Sequence, residues 1–175
     1  MSEPMDLRAV QQPLKQAYRV DADRAKLTLK VSSQENPGGP MACSVDIGRA
    51  IVEAQAHAGV GGAGTAACSG DLLLGSLAGC AQITAQMVAA ALGLPVAGVT
   101  VTVEGDLDLR GTLGIDPQAP VGFQAIRAKF VVAGDLSEPQ RRQLRRLTEG
   151  SCVVLATLTN PPPIEVSWEV AQNGE

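Results

Sequence analysis

Four cysteines are the residues of this sequence best suited to covalent chemistry: Cys43, Cys68, Cys80 and Cys152. Cys152 follows a Gly-Ser pair at the predicted start of a short helix, where the helix dipole would lower the pKa of a thiol. Cys80 lies in the middle of a predicted long helix, among small residues that let another element approach its sulfur. Two thiols on facing helices suggest a redox pair, whereas buried cysteines are commonly inert. The residues alone leave both interpretations open.

The other two cysteines favour structural interpretations. Cys43 lies on the apolar face of a predicted strand, which is typical of a core residue. Cys68 comes directly before the predicted cap of the long helix. The helix dipole there favours a thiolate, but a structural role for Cys68 is equally open.

Metal, triad and phosphate chemistry are all poorly supported. The single histidine, His57, would be needed for a zinc site or a Ser-His-Asp triad, and neither Cys-x2-Cys nor Gly-x-Ser-x-Gly is present. We therefore interpret His57 as an ordinary loop residue. The glycine-rich segment 59–65 lacks the Gly-Lys-Ser/Thr ending of a phosphate loop, so it predicts a flexible connector. We expect no metal and no cofactor.

Length and composition predict one soluble domain. The chain has 175 residues, of which 45% are hydrophobic, and we assign residues 1–175 to a single domain with residues 1–25 as an N-terminal helical extension. A net charge of -4 and only 2% aromatic residues argue against nucleic acid and anionic membranes as partners. The N-terminus has neither the basic nor the apolar region of a signal peptide. We therefore expect a cytoplasmic protein with reduced thiols.

Two helices dominate the first half of the predicted structure. Residues 6–18 form an amphipathic pattern, which Pro13 should kink or split. Residues 71–92 predict one long helix with Ser69 as its N-cap and Gly93 at its end, and the helix carries no charge after Asp71. Polar residues within it and amphipathic strands beside it favour a buried core helix over a membrane span. A dimer that shares its core would cover such a helix.

Alternating apolar and polar residues predict the strands. Three lie before the long helix, over residues 26–31, 43–47 and 49–56, with a turn at 36–40 between the first two. A long hairpin follows over residues 99–109 and 126–132, with opposite charges on its outer faces that can pair across the strands. A last strand is predicted over residues 164–170. Strands and helices in this order indicate an α+β fold.

Two further helices precede the last strand. Ser137 and Gln140 form the pattern of a capping box, which predicts a helix to about Thr148. Its arginines fit a solvated helix face better than a nucleic-acid patch on an acidic chain: Arg141, Arg142, Arg145 and Arg146. A short helix is expected from Ser151 to Leu158, ended by three prolines.

Two motifs resemble those of the OsmC/Ohr family, the osmotically induced and organic-hydroperoxide-resistance proteins. The segment GDLLLGSLAGC at 70–80, after the glycine loop GGAGT at 61–65, is similar to the helix that carries the first cysteine of that family. The segment CVVLATL at 152–158, followed by Asn160 and three prolines, resembles the second-cysteine motif, and EGDL at 104–107 falls where the family has a strand. The resemblance covers residues 26–170.

The resemblance implies an OsmC-like fold, in which antiparallel sheets wrap around long central helices in an intertwined homodimer. It also implies a two-cysteine peroxidase of oxidative and osmotic stress defence. Cys80 would attack an organic hydroperoxide and become a sulfenic acid, and Cys152 would resolve it to a disulfide. A dithiol such as a lipoyl protein would then reduce that disulfide. The family thus assigns attack to Cys80, although the helix dipole favours Cys152 as the more acidic thiol.

This sequence departs from the family pattern at the residues that activate the first cysteine. Where Ohr-type enzymes have a glutamate, ten residues before that cysteine, this chain has Gly70, with the shorter Asp71 beside it. The activating arginine of the family has Arg49 as its candidate here. These departures motivate an alternative hypothesis: a non-enzymatic dimer of the same fold that binds a small apolar or thiol ligand at the subunit interface.

Overall fold

The computed structural model describes residues 7–29, 32–35, 42–46 and 50–170 of the chain. Its first helix, α1 (Leu7–Val20), runs through Pro13 without a break, so the split predicted there does not occur. A 3-10 helix over Ala22–Ala25 follows, capped by the carboxylate of Asp21. The helix α1 contacts the long central helix, which places the N-terminal extension against the core.

A three-stranded antiparallel sheet follows, formed by β1 (Ser32–Glu35), β2 (Ala42–Asp46) and β3 (Ile51–Gln55) in chain order. The strands predicted at 43–47 and 49–56 are therefore confirmed for their described residues. The first strand begins at Ser32, and the strand predicted from residue 26 is wrong for residues 26–29. The predicted turn at 36–40 lies outside the described residues.

The glycine-rich segment is ordered by contacts with β3. Thr65 donates its N–H and its hydroxyl to the side-chain oxygen of Gln55, at 3.3 and 2.9 Å. His57 accepts the N–H of Gly59 on its Nδ1 at 3.0 Å and caps a short 3-10 helix over Ala58–Val60. A side chain at Gly62 would overlap the carbonyl oxygen of Ala56. The segment is thus a hydrogen-bonded connection between β3 and the long helix, with no room for a side chain at Gly62.

The long helix α2 spans Ser69–Leu92 and so begins two residues before its predicted start at residue 71. Its N-cap is Cys68 and not Ser69: the Cys68 sulfur accepts the N–H of Asp71 at 3.4 Å, and the Asp71 carboxylate accepts the N–H of Cys68 at 2.9 Å. A thiol is a weak acceptor, which is why serine was the stronger candidate from the sequence. Gly93 ends the helix in the left-handed conformation, with φ at 64°, as predicted.

One face of α2 is buried within the chain. Its buried residues recur every fourth position: Leu77, Ala81, Ala85 and Ala89. The opposite face remains open, with Ile83 58% exposed. Among the described residues, α2 is also the one helix long and apolar enough to cross a membrane, which is weak evidence because the core helix of a soluble protein meets the same criterion.

The hairpin packs on α2 and consists of β4 (Val96–Asp106) and β5 (Ala125–Gly134), paired antiparallel. Its predicted charge pairing is confirmed, because the Arg127 guanidinium donates to both oxygens of Asp106 at 2.5 and 2.7 Å and lies 3.5 Å from Glu104. The extension of β4 through Leu109 is wrong. Leu109 instead begins a four-residue helix, α3 (Leu109–Thr112), which the Asp108 carboxylate caps.

Two helices joined at one residue complete the structure. The helix α4 spans Glu138–Ser151 and begins with the predicted capping box of Ser137 and Gln140. The helix α5 spans Val153–Thr159. Cys152 is both the C-cap of α4 and the N-cap of α5, so the two helices follow each other with no linker.

Two segments with strand-like alternation have no strand partner. Residues 161–170 form no strand, which contradicts the predicted last strand, and their apolar side chains are between 74% and 93% exposed: Ile164, Val166, Trp168 and Val170. Leu27 and Leu29 are each 81% exposed. The alternation indicates a face that is buried in a sheet, but no strand among the described residues pairs with either segment.

Candidate functional site

The structure brings the two predicted site cysteines together. The sulfurs of Cys80 on α2 and Cys152 at the α4–α5 junction lie 3.5 Å apart, with the Cys152 thiol donating to the Cys80 sulfur. A disulfide bond is about 2.05 Å long, so a shift of about 1.5 Å would join them. Both cysteines are free thiols. They are therefore placed to interconvert between dithiol and disulfide.

The surroundings of the pair are apolar. Cys152 is 1% exposed and lies in a buried cluster with Leu77 and Ala81. Partly buried residues from the hairpin and from α5 pack around this cluster: Val101, Val103, Ile126, Phe130, Val154, Leu155 and Leu158. Cys80 is only half-buried, so of the two sulfurs it is the more accessible to a substrate. Cys80 is therefore the sulfur that an external reactant meets first.

The electrostatics distinguish the two thiols. Burial raises the pKa of Cys80, but hydrogen bonds outweigh burial and hold its pKa below the ordinary value of a thiol. The donors are the backbone N–H of Val154, the Cys152 thiol, the Thr84 hydroxyl and the backbone N–H of Val153. Burial also raises the pKa of Cys152, and the hydrogen bond to Cys80 and the Cys80 charge raise it further. The backbone N–H groups of Leu155 and Val154 lower the pKa of Cys152, but by less than these effects raise it.

The dipole argument made from the sequence placed the lowered pKa on the wrong cysteine. Cys152 does cap α5, but the first N–H groups of α5, at Val153 and Val154, also stabilise the Cys80 thiolate on the facing helix. Cys152 gains less because its own proton is shared with Cys80 and because it is more deeply buried. The sequence identifies a helix start at Cys152 but not which sulfur its N–H groups face.

Asp71, one of the two residues that could replace the activating pair of the family, is not near Cys80. Asp71 lies nine residues before Cys80, about 13.5 Å along the axis of α2, and its carboxylate is held by the cap at Cys68. That backbone hydrogen bond is the main reason why the pKa of Asp71 is lowered. Arg49 lies outside the described residues. The described groups that lower the pKa of Cys80 are uncharged donors.

The remaining sequence candidates lie elsewhere. Cys68 caps α2, which agrees with the structural one of the two roles that the sequence left open, and His57 caps a 3-10 helix. Cys43 lies on β2, but its side chain is outside the described part. Within the described ranges, no three His, Cys, Asp or Glu side chains are grouped so that they could hold a metal ion.

The pKa directions predict which thiol reacts first with an alkylating agent. We expect limiting iodoacetamide near neutral pH to modify Cys80 before Cys152, measured by peptide mass mapping. A lowered pKa means that the Cys80 thiolate already forms at lower pH, whereas Cys152 stays protonated to higher pH. In Thr84→Val, which removes one donor, the pH at which Cys80 alkylation accelerates should rise. Faster alkylation of Cys152 would contradict this ordering.

Comparison of the sequence with protein-family models identifies a family for most of the chain. The model of the OsmC-like proteins matches residues 62–167, which include the end of the glycine-rich segment, α2, the hairpin, and the site cysteines Cys80 and Cys152. None of the curated proteins is significantly similar to the chain.

Solved structures with the same fold are remote in sequence. An OsmC-like protein from Mycoplasma pneumoniae superposes with a TM-score of 0.63 at 15% identity, over 78% of this chain and 90% of that one. An organic hydroperoxide resistance protein from Elizabethkingia anophelis superposes with a TM-score of 0.58 at 18% sequence identity, over 77% of this chain and 91% of that one. An organic hydroperoxide resistance protein from Legionella pneumophila superposes with a TM-score of 0.58 at 17% sequence identity, over 77% of this chain and 90% of that one. At these identities the likeness shows the fold alone, and the predicted α+β, OsmC-like fold is confirmed.

Proposed function

Since this chain belongs to the OsmC-like protein family, we propose that it is a thiol-dependent peroxidase that reduces organic hydroperoxides in cellular stress defence. The observation that carries the proposal is the 3.5 Å separation of the Cys80 and Cys152 sulfurs. Some proteins of the same fold are organic hydroperoxide resistance proteins, which supports the substrate class. The substrate would be an alkyl hydroperoxide, ROOH.

The first step is attack by the Cys80 thiolate on the terminal oxygen of ROOH. An S–O bond forms as the O–O bond breaks, so that sulfur is oxidised to a sulfenic acid and the alkoxide leaves with a proton from solvent as the alcohol ROH. The N–H groups of α5 hold the thiolate form of Cys80, which is the nucleophile. The apolar surroundings of the pair suit the alkyl group of such a substrate.

The second step joins the two cysteines. The Cys152 sulfur attacks the Cys80 sulfenic sulfur, an S–S bond forms, and the hydroxyl leaves with the Cys152 proton as water. Because the Cys152 sulfur lies 3.5 Å from the Cys80 sulfur, the sulfenic acid meets its resolving thiol before most external thiols. A dithiol, for which we propose a lipoyl group, then returns both cysteines to thiols and becomes a disulfide itself.

We further propose that the protein acts as a cytoplasmic homodimer. The open face of α2 and the exposed alternating segments at 27–29 and 164–170 are apolar surfaces that a second copy would cover. A helix as apolar as α2 needs cover on more than one side. The proposed dimer therefore accounts for both segments that have no strand partner among the described residues.

Mass spectrometry of the intact protein tests the dithiol cycle directly. We expect one equivalent of tert-butyl hydroperoxide to lower the mass of the reduced protein by two hydrogens, and peptide mapping to find a Cys80–Cys152 disulfide. Cys68→Ser serves as the matched control and should form the same disulfide, since Cys68 only caps α2. Unmodified thiols after peroxide treatment would contradict the proposal and favour the non-enzymatic ligand-binding alternative.

A further inference from the structure

We propose that the cleft between α4, β5 and α2 is a binding site for a single-chain alkyl carboxylate. The cleft lies beside the dithiol but does not include either sulfur. Its ligand would keep its alkyl chain against the hairpin and its carboxylate at the arginines of α4. The proposal concerns binding without reaction and does not depend on peroxidase activity.

The cleft has the size and lining of a small-molecule site. Its volume is about 510 Å³, within the range of about 300–1,000 Å³ that is common for ligand pockets. Apolar side chains from three elements and the loop before α4 form its base: Ala85, Ala128, Phe130, Val132, Leu136 and Leu144. Charged and polar groups come only from α4: Arg141, Arg145, Thr148 and Glu149. An apolar base with polar groups on one side suits an amphipathic ligand.

A buried hydroxyl in this lining has no partner. Thr148 is 3% exposed, and among the described residues its Oγ1 is the one buried side-chain oxygen or nitrogen without a hydrogen bond. Other helical hydroxyls, at Ser76 and Thr157, donate to the carbonyl four residues back at 2.8 and 2.9 Å. That oxygen has almost no accessible surface, so a ligand in the cleft does not reach it, and a buried polar group left unpaired costs about 1–3 kcal/mol of stability.

The charges select a monoanion. Arg141 is held by its Nε, which donates to the carbonyl of Leu136 at 2.9 Å, and it makes no ion pair with any described residue. Arg145 is already paired with Glu149, at 2.8 Å. The lining therefore has one guanidinium whose charge is not balanced, and a guanidinium suits the planar, bidentate geometry of a carboxylate.

The cleft lies about one helical turn away from the sulfurs. The carbonyl of Thr148 accepts the N–H of Cys152 at 3.0 Å, and Ala85 follows Ala81, which packs on Cys152, by one turn of α2. The ligand site and the dithiol thus share helices but have different lining side chains. Variants in one site can be compared with variants in the other.

Calorimetric titration of the reduced full-length protein with octanoate tests the site. We expect saturable binding that is about tenfold weaker in Arg141→Gln, because one charge-assisted hydrogen bond is lost. Arg142→Gln is the matched control, since Arg142 lies on the same helix, pairs with Glu138 and does not line the cleft. Octanol and acetate, which supply the chain or the head alone, should each bind at least tenfold more weakly than octanoate.

Thr148→Val separates ligand binding from folding. The substitution removes an unpaired buried hydroxyl at nearly constant shape and leaves Arg141 in place, so we expect an unchanged or higher Tm together with unchanged octanoate binding. Cys80→Ser should bind octanoate like the wild type, whatever its peroxidase activity. No saturable octanoate binding, equal loss in Arg141→Gln and Arg142→Gln, or tighter binding of octyl phosphate than of octanoate would each overturn the assignment.

Discussion

Cys80→Ser is expected to abolish the reduction of tert-butyl hydroperoxide with dihydrolipoamide as the reductant. Its turnover should fall on the order of a thousandfold or more, to the background rate of the free dithiol. A serine hydroxyl in the same place receives the same N–H groups from α5, but its pKa is far too high for an alkoxide to form at neutral pH. The measurement is peroxide consumption by the purified variant beside the wild type.

Cys152→Ser distinguishes the two cysteine roles. Because Cys80 keeps its N–H donors from α5, we expect this variant to react with one equivalent of peroxide and then to stop at the sulfenic acid, which dimedone would trap on Cys80. Cys68→Ser, which alters only a helix cap, should keep most of the wild-type turnover. Full turnover in Cys80→Ser would exclude the proposed mechanism, and a dimedone adduct on Cys152 in Cys80→Ser would reverse the assignment.

Trp168→Asp is expected to break the proposed dimer. Trp168 is 92% exposed in the single chain, and a buried aromatic residue commonly contributes 2 kcal/mol or more to an interface. A carboxylate in its place should raise the dissociation constant by about 30-fold or more. Light scattering coupled to size exclusion should find twice 18.0 kDa for the wild type and a shift toward 18.0 kDa for the variant.

Ser167→Asp is the matched control for the dimer. Ser167 precedes Trp168 on the polar side of the alternation, so a new carboxylate there should leave the dimer intact. If Trp168→Asp and Ser167→Asp had the same oligomeric state as the wild type, the exposed segment would not be an interface. A monomeric wild-type protein would contradict the dimer itself.

Local signals in the sequence were sufficient for most elements. The long helix was predictable because an uncharged run of helix-forming residues ends in Gly93. The hairpin was predictable because the alternation of apolar and polar residues and the opposite charges on the two strands are consistent with one pairing register. The signals failed where two residues competed for one role. Ser69 is the better cap by residue type, but the chain places the Cys68 sulfur within reach of Asp71.

Tertiary relations were beyond the sequence. The motifs indicated that Cys80 and Cys152 belong together, but not that their sulfurs lie 3.5 Å apart or that Val153 and Val154 donate to Cys80. The alternation of apolar and polar residues at 26–31 and 164–170 predicted strands. Such a pattern indicates that one face of the segment is buried, but not which chain covers that face. Residues 26–29 and 164–170 pair with no strand among the described residues, and their apolar side chains are exposed there.

Because α4 connects directly to α5, the number of residues at their junction determines how α5 is oriented toward Cys80. Cys152 ends one helix and begins the next, so the backbone there has no slack that could absorb a change. Each residue of an α-helix turns the chain by about 100°, because a turn takes 3.6 residues. One inserted residue at this junction would rotate the donors at Val153 and Val154 away from Cys80. The acidity of the thiol on one helix is therefore set by the residue count at the junction of two others.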